Sequence, residues 1–399
     1  MSSQTGAASG VVIIGAGAAG ATAAQTLRGE GYTGEVTIIG AEAGLPFRRT
    51  ALSKDLLTAD LSQQRIALQK QQYWSDKDIE IRSAATVLGF DPEARTVSLS
   101  DGTELSYAAL ILATGGQPIR PDWLDDDVPT LRTVADAERI RAAIAQSGSL
   151  TVIGGGLIGL ELAASAAAAG HRVTVLEAGD RLMSRVVPRE VSVFLADLHR
   201  QHGVDVRLDG RVVRASAAGV ELHDGEQIGG TVVAALGMAP DVALAEVAGA
   251  DAGRGGIVVD PSLRTSLAGV YAAGDVAAVP DPRTGEPARG EHWFAAVDQG
   301  AAAARTVLAD LAGARAPVFA EVPRAWTIQY GVNFQLVGWP AAGGDVTVDG
   351  ILTAQAQDGP AATVLVSGPE GLRGAVTVGR AAAARELRAQ LGANVGAAV

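Results

Sequence analysis

The stretch Val11-Val-Ile-Ile-Gly-Ala-Gly-Ala-Ala-Gly20 is the part of the sequence that decides the fold. Four apolar residues run directly into glycines with the spacing Gly15-x-Gly17-x-x-Gly20, and a helical pattern follows. In such a loop the first glycine makes a tight turn, the second lets a pyrophosphate approach the backbone, and the third lets helix and strand pack closely. The stretch therefore predicts the start of a dinucleotide-binding unit, with a plain tight turn as the alternative.

The same pattern occurs a second time, in Leu150-Thr-Val-Ile-Gly-Gly-Gly-Leu-Ile-Gly159. Each copy is followed by a helical pattern and a second apolar strand, Val36–Ile39 in the first case and Arg172–Leu176 in the second. A chance turn is a poor explanation for two such units. The sequence therefore predicts an α/β fold with two Rossmann-like dinucleotide-binding domains.

An acidic residue near the end of the second strand of such a unit binds a ribose hydroxyl. The candidate in the first unit is Glu42, for which a solvated loop glutamate is the alternative. The candidate in the second unit is Glu177, which directly follows its strand. The next arginine after Glu177 is Arg181, and this spacing favours NADH over NADPH in the second unit.

Composition and charge exclude several classes of function. The chain has 399 residues, 48% of them hydrophobic, which is enough for two or three domains with full cores. A formal net charge of −12 makes nucleic acid an unexpected partner. The sequence contains no cysteine, which excludes a redox-active dithiol and a Cys-ligated metal site, and we expect no metal. We see no secretion signal and no apolar run of membrane length, so we expect a cytoplasmic protein without a membrane partner.

Further motifs follow along the chain in a fixed order. A Leu-Ser-Lys loop ends at Lys54, Ala-Thr-Gly ends at Gly115, and Ala-Ala-Gly-Asp ends at Asp275. From Pro317 onward, period-two strands and a final helix predict a small α+β domain. The predicted strands are Gln335–Gly338, Val346–Val348, Thr363–Ser367 and Ala375–Val378, and the helix is Ala381–Leu391. Together with the two glycine motifs, this order resembles the FAD- and NADH-dependent ferredoxin reductases of the putidaredoxin, rubredoxin and aromatic-dioxygenase reductase type. The resemblance covers essentially the whole chain, and its more specific matches are Leu131–Thr133, Gly156–Glu161, Arg185–Val187 and Glu291–Trp293.

The resemblance implies that the first unit binds FAD and the second binds NADH. The residues implied at the FAD site are Gly15, Gly17, Ala19, Gly20, Glu42, Lys54, Val87, Thr114, Gly115, Arg132, Asp275 and Trp293. The residues implied at the NADH site are Gly154, Gly156, Gly159 and Glu177, with Trp326 near the nicotinamide. The implied domains are a discontinuous FAD domain of residues 1–117 and 241–316, an NADH domain of residues 118–240 and a C-terminal domain of residues 317–399.

Two residues are implied as catalytic. By the resemblance, Lys54 lies near flavin N5 and pairs with Glu161, while Asp275 hydrogen-bonds the ribityl chain and Trp293 lies against the flavin end. Read without the family, Lys54 is also consistent with a solvated lysine, Asp275 with a turn residue and Trp326 with core packing. Ser53 and Asp55 are candidate caps of the helix beside Lys54.

The chain departs from the family pattern at three places. Ala41 stands where the family often has Asp, Arg48–Ala51 lack the proline pair that stiffens this loop, and Ile328 replaces a usual Asp. These positions surround the flavin edge and the acceptor side. FAD binding is still expected, whereas the identity of the electron acceptor is left open.

The expected function is transfer of electrons from NADH through FAD to a [2Fe–2S] ferredoxin, or to a similar small electron-transfer protein, that serves an oxygenase. The alternatives are a flavoprotein that reduces a diffusible acceptor and a redox-responsive flavoprotein with slow turnover. Because the chain is acidic, an acidic ferredoxin needs a local basic patch. Arg305, Arg315 and Arg324 are the candidates, with scattered solvated arginines as the alternative, and both a monomer and a homodimer are open.

Overall fold

A computed structural model of the chain describes residues 10–54 and 56–396. The candidate cap Asp55 lies outside these residues. Within them, every helix is too short or too polar to cross a membrane.

The first glycine-rich stretch folds as predicted, with a buried strand that turns directly into a helix. All four residues of this strand are buried, as expected inside a parallel sheet that is covered on both faces. The elements of this part of the chain are β1 (Val11–Ile14), α1 (Ala18–Gly29), β2 (Val36–Gly40), α2 (Ala51–Lys54), α3 (Gln63–Ile66), α4 (Gln71–Asp76), β3 (Glu80–Ser83), β4 (Val87–Asp91), β5 (Thr96–Leu99), β6 (Glu104–Ser106), β7 (Ala109–Leu112) and β8 (Gly116–Pro118).

The second glycine-rich stretch repeats this arrangement. Its sheet has the order β11-β10-β9-β15 with parallel pairs throughout, and a small antiparallel sheet, β12-β13-β14, accompanies it. The elements are α5 (Val134–Ser147), β9 (Ser149–Ile153), α6 (Leu157–Ala168), β10 (Arg172–Leu176), α7 (Arg189–Gln201), β11 (Asp205–Arg207), β12 (Val212–Ser216), β13 (Gly219–Leu222), β14 (Gln227–Gly229), β15 (Thr231–Ala234) and β16 (Met238–Pro240).

The chain then returns to the first sheet. Its order is β19-β7-β1-β2-β3, again with parallel pairs, so a strand from beyond the second unit completes it. The elements of this part are α8 (Ala243–Val247), β17 (Ala252–Gly253), β18 (Gly256–Val258), β19 (Val270–Ala272), β20 (Ala277–Pro280), β21 (Pro287–Ala288) and α9 (Trp293–Leu311).

The two connections between the first and second units lie side by side. Strand β8 leaves the first unit and β16 returns to it, and the two pair in antiparallel fashion, with Gly116 opposite Pro240 and Pro118 opposite Met238. The second unit therefore leaves and re-enters the first at one place.

The last part of the chain is an antiparallel sheet with one helix, as predicted. The sheet order is β22-β23-β26-β25-β24, and α10 packs on β23 and β26. The elements are β22 (Arg324–Gln329), β23 (Val332–Gly338), β24 (Asp345–Ile351), β25 (Ala361–Gly368), β26 (Gly371–Val378) and α10 (Ala383–Gly396). The predicted α/β fold with two Rossmann-like units and a C-terminal α+β domain is thus confirmed.

Strand β22 is absent from the strands predicted by sequence. Its pattern of burial is the reverse of an ordinary strand: Thr327 and Gln329 are buried, whereas the side chain of Ile328 between them is 45% exposed. A prediction based on apolar alternation therefore has no signal here.

Helices α1 and α9 touch closely enough to require a glycine. A Cβ atom added at Gly300 of α9 would lie 2.2 Å from the backbone oxygen of Ala19 in α1. A Cβ atom added at Gly29, near the end of α1, would meet nothing within 4 Å.

This contrast gives a stability test with a matched control. Gly300→Ala should lower the free energy of unfolding by about 2 kcal/mol, because overpacking outweighs the gain in helix propensity. Gly29→Ala, which gains propensity without a clash, should raise it by roughly 0.5–1 kcal/mol. Chemical denaturation measures both. A Gly300→Ala protein as stable as the parent would show that the helices are not this close.

Candidate functional site

A large cavity, about 1840 Å³ in volume, runs between the two sheets and reaches the C-terminal sheet. Both glycine turns open into it, since each follows the carboxyl end of a parallel strand, where open α/β sheets bind their ligands. Within the described residues, the cavity lining includes every predicted site residue except Gly20 and Gly159.

The first turn is shaped by close approach of the backbone. Gly15 has a φ of +117°, and a Cβ atom there would lie 2.0 Å from the oxygen of Ala113. A Cβ atom at Gly20 would lie 2.0 Å from the oxygen of Gly15, so this glycine serves helix packing rather than the cavity lining. A Cβ atom at Gly17 would meet nothing within 4 Å and would project into open space. The N-terminus of α1 is thus left accessible to an anion.

The second turn has nearly the same geometry. A Cβ atom added at Gly154 would lie 2.3 Å from the backbone oxygen of Ala235. One added at Gly159 would lie 2.1 Å from the backbone oxygen of Gly154. At Gly156 it would meet nothing within 4 Å. The protein therefore holds two equivalent cradles that open into one cavity, and both fit a dinucleotide pyrophosphate.

The two ribose candidates have different surroundings. The Glu177 carboxylate accepts hydrogen bonds from the backbone N–H groups of Gly155 (2.8 Å) and Gly179 (2.7 Å) and lines the cavity. Glu42 forms an ion pair with Arg49 at 2.6 Å instead. Arg49 also donates to the backbone oxygen of Arg132, so it ties the loop that departs from the family pattern to the cavity wall.

Lys54 and Glu161 form the predicted pair. Lys54 Nζ lies 2.5 Å from Glu161 Oε1, and the Glu161 side chain is only 2% exposed. Ser53 Oγ donates to Glu161 Oε2 at 2.5 Å, and Thr327 Oγ1 donates to Oε1 at 2.7 Å. Three donors therefore satisfy a carboxylate that is removed from water. Ser53 lies inside α2 and holds this carboxylate, which corrects its predicted role as a cap.

Asp275 follows β19 and points into the same cavity. Burial raises the pKa of its carboxyl group, and the nearby Arg132 guanidinium only partly opposes this. Among residues 10–54 and 56–396, none donates a hydrogen bond to its carboxylate. Burial also lowers the pKa of the Arg132 guanidinium, with neighbouring Arg49 adding to the effect. The Asp275 carboxylate is thus suited to accept hydrogen bonds from ligand hydroxyl groups.

The aromatic side chains of Trp293 and Trp326 line the cavity. Lys54 Nζ lies 5.0 Å from the centre of the Trp326 ring, and the Phe294 ring is 4.9 Å from that of Trp326. Trp293 begins α9, and the His292 imidazole before it accepts a hydrogen bond from the backbone of Ala295 at 3.4 Å. Burial lowers the pKa of His292 to about 4, so it is neutral near pH 7.

Sequence reasoning missed several residues of this site. Thr327 and Ser53 bind Glu161, and Arg49 binds Glu42, but the sequence pattern singles out none of these contacts. The one available signal was the alternation of Thr327 and Gln329 in a strand whose other face carries Trp326 and Ile328. Polar residues at alternate positions of a strand indicate either solvent or a buried polar network.

The predicted basic patch is mostly neutralised by ion pairs. Arg305 pairs with Glu30 at 3.0 Å, and Arg324 pairs with Asp298 at 2.6 Å inside the cavity wall. Of the three arginines, only the exposed Arg315 lacks a carboxylate partner among the residues that the structure describes. The arrangement agrees better with the alternative of scattered arginines.

Comparison with known proteins gives a consistent picture. The sequence profile of the family described as pyridine nucleotide-disulphide oxidoreductase matches residues 9–300. The chain is 38% identical to the ferredoxin–NAD(+) reductase component of an anthranilate 1,2-dioxygenase system from Burkholderia cepacia, over 85% of this chain and 84% of the relative. It is also 38% identical to rhodocoxin reductase from Rhodococcus erythropolis, over 85% and 80% of the two chains.

Solved structures agree with these relatives. The chain matches putidaredoxin reductase, in its covalent complex with putidaredoxin, with a TM-score of 0.88 and 30% identity. The match covers 97% of this chain and 93% of that one. The chain therefore belongs to the pyridine nucleotide-disulphide oxidoreductase family and, within it, to the FAD- and NADH-dependent ferredoxin reductases that its motifs resemble.

Proposed function

We propose that the chain is an NADH-dependent flavoprotein that passes electrons through FAD to a [2Fe–2S] ferredoxin, or to a similar small carrier that serves an oxygenase. The observation that carries the proposal is the pair of equivalent glycine cradles whose shared cavity contains Lys54 and Glu161. The similarity to ferredoxin reductases, one of them solved in complex with putidaredoxin, supports the acceptor. A cytoplasmic location, and a monomeric or homodimeric state, stay predictions.

The cradle at Gly15 and Gly17 would hold FAD, and the cradle at Gly154 and Gly156 would hold NADH. Asp275 supports this assignment, since its carboxylate is without a hydrogen-bond donor among the described residues and lies on the side of the first sheet. The Glu177 carboxylate at the end of β10 supports NADH in the second cradle. When bound, FAD accepts two electrons from NADH and can release them one at a time.

The domains follow from this assignment. We propose residues 1–117 with 241–316 for FAD, 118–240 for NADH and 317–399 for the C-terminal domain. The pairing of β8 with β16 supports the two inner boundaries, since both connections cross between the units there.

Lys54 would place a positive charge beside the site where the two cofactors meet. Its ammonium group is held by the buried Glu161 and lies over Trp326, so little reorganisation is needed when negative charge develops nearby. Because the chain has no cysteine, it lacks the dithiol that a disulfide relay needs. Lys54 and Glu161 are thus the charged pair that we assign to the reaction.

The cofactor assignment can be tested by filling one cradle at a time. Gly17→Val should purify without the absorption of bound FAD, because its side chain projects into the space proposed for the FAD pyrophosphate. Gly156→Val should keep FAD but bind NADH at least about ten-fold more weakly. Absorption spectra and anaerobic NADH titration give both results. The reverse pattern would exchange the two cofactors between the units.

The Asp275 carboxylate should lower the stability of the apoprotein at pH 7 and strengthen the binding of FAD. A carboxyl group whose pKa is raised by folding adds stability that is complete below the pKa of the unfolded chain, about 4, and is lost as the pH rises through the folded value. Apoprotein with Asp275→Asn should therefore melt at a higher temperature than the parent at pH 7, with the gap closing as the pH falls towards about 4. It should also bind FAD about ten-fold more weakly.

A second aspartate provides the control. Asp298 also lines the cavity but is paired with Arg324, so Asp298→Asn should melt at a lower temperature than the parent at pH 7. Thermal unfolding of both apoproteins across this pH range checks the contrast. If Asp275→Asn is destabilised at pH 7 as well, Asp275 is a structural residue.

The electron acceptor is tested by stopped-flow kinetics. NADH should reduce the flavin rapidly, and the reduced protein should then pass single electrons to a [2Fe–2S] ferredoxin. Reduction of cytochrome c through that ferredoxin provides the steady-state readout. Rapid reduction by NADH without transfer to any ferredoxin or cytochrome c would instead support a diffusible acceptor. Slow reduction that leaves a long-lived charge-transfer complex would support a redox-responsive protein.

A further inference from the structure

A chain of buried hydrogen bonds leads from Glu161 along one face of β22 to helix α7. Thr327 Oγ1, which donates to Glu161, accepts from Gln329 Nε2 at 3.4 Å, the longest link. Gln329 Oε1 lies 2.8 Å from His199 Nε2, and His199 Nδ1 lies 3.0 Å from the Tyr330 hydroxyl. These hydrogen bonds thus join α6, β22 and α7, which belong to distant parts of the sequence.

All hydrogen bonds of this series run in the same donor-to-acceptor direction. Burial lowers the pKa of His199 to about 4, so near pH 7 its imidazole carries one N–H group and one lone pair. The carbonyl oxygen of Gln329 can only accept, so His199 Nε2 donates to it and Nδ1 accepts from Tyr330. Gln329 then donates to Thr327, and Thr327 donates to Glu161. Every donor in this series of hydrogen bonds therefore points towards the negatively charged Glu161 carboxylate.

Packing alone does not account for these residues. The same helix and the same sheet already meet through an apolar contact, in which the rings of Phe194 and Phe334 are 5.9 Å apart. His199, Thr327 and Gln329 are at most 1% exposed. Polar groups at such depth destabilise a fold unless every one is satisfied, and a satisfied network fixes the geometry of its members. A purely structural contact would be more stable with apolar residues here.

We propose that His199 is a positioning residue that fixes Glu161, and through it Lys54, by way of Gln329 and Thr327. Its importance for electron transfer rests on the proposed function, in which Lys54 lies beside the reacting cofactors. His199 itself lies on α7 and is linked to Glu161 through Gln329 and Thr327. It sets the orientation of the Gln329 amide, which in turn leaves the Thr327 hydroxyl proton free for Glu161.

Lysine labelling tests the proposal directly. The sequence has only three lysines, Lys54, Lys70 and Lys77, and the last two are exposed and serve as internal references. The holoenzyme is treated with N-hydroxysuccinimidyl acetate, and mass spectrometry measures the acetylation rate of each lysine. In His199→Phe, Lys54 should be acetylated on the order of five- to ten-fold faster than in the parent, as expected for the loss of one buried hydrogen bond. The rates of Lys70 and Lys77 should not change.

Three further variants separate positioning from packing. His199→Gln retains an N–H donor in place of Nε2 and should restore slow labelling of Lys54. Thr327→Val breaks the inner link without touching α7 and should reproduce the fast labelling, even if His199→Phe folds poorly. Phe194→Leu loosens the apolar contact between the same helix and sheet and should leave Lys54 labelling unchanged. The proposal would be overturned if Lys54 labelling rose equally in Phe194→Leu or stayed fast in His199→Gln. It would also be overturned if Lys54 labelling rose in neither His199→Phe nor Thr327→Val.

A kinetic readout separates this inference from the proposed function. In His199→Phe the limiting rate of flavin reduction should fall about ten-fold while the apparent dissociation constant of NADH stays unchanged. Faster labelling without a change in the reduction rate would support the positioning of Lys54 and count against its role in the reaction. An unchanged labelling rate with slower reduction would overturn the positioning and leave the proposed function intact.

Discussion

The arrangement of the site depends on one carboxylate that is removed from water. An uncompensated buried charge destabilises a protein by about 3–5 kcal/mol, so the residues around Glu161 are constrained to supply donors. The donors come from two separate parts of the chain, Ser53 and Lys54 on α2 and Thr327 on β22, whereas Glu161 itself lies on α6. The need to satisfy this charge therefore links the C-terminal sheet to both α2 and α6. It also explains why β22 turns its polar residues inward and leaves Ile328 exposed.

The loop before Lys54 is held by side-chain contacts. Without the proline pair of the family pattern, the segment Arg48–Ala51 is held by the guanidinium of Arg49. That group pairs with Glu42, donates to the backbone of Arg132 and lies over the ring of Phe47 at 4.9 Å. An ion pair and a cation–π contact thus take the place of restricted backbone dihedrals.

Much of the fold could be predicted because its determinants are local. Gly20 packs on Gly15, and Gly159 on Gly154, five residues earlier in each case. Gly15 and Gly154 approach the distant Ala113 and Ala235, but their spacing from the other glycines of each turn is local. Strands β1, β2, β9 and β10 are short apolar runs beside these turns. The pairing of Lys54 with Glu161 was expected from the family resemblance alone, since the two residues are far apart in sequence. Thr327, Gln329 and Ser53 could not be predicted, because each is chosen for a partner in another part of the chain. Their polarity is typical of exposed residues, and only the buried carboxylate explains it.

The side-by-side pairing of β8 and β16 affects how the chain folds. The first sheet needs β19, which lies beyond the whole second unit, and closing so long a loop costs conformational entropy. Once the second unit has folded, its two ends meet at Gly116 and Pro240, and the loop that separates β7 from β19 becomes short. The order of folding that loses the least conformational entropy in loop closure is thus from the inside outward. In that order the inserted unit folds first, and its paired ends bring the two parts of the outer sheet together.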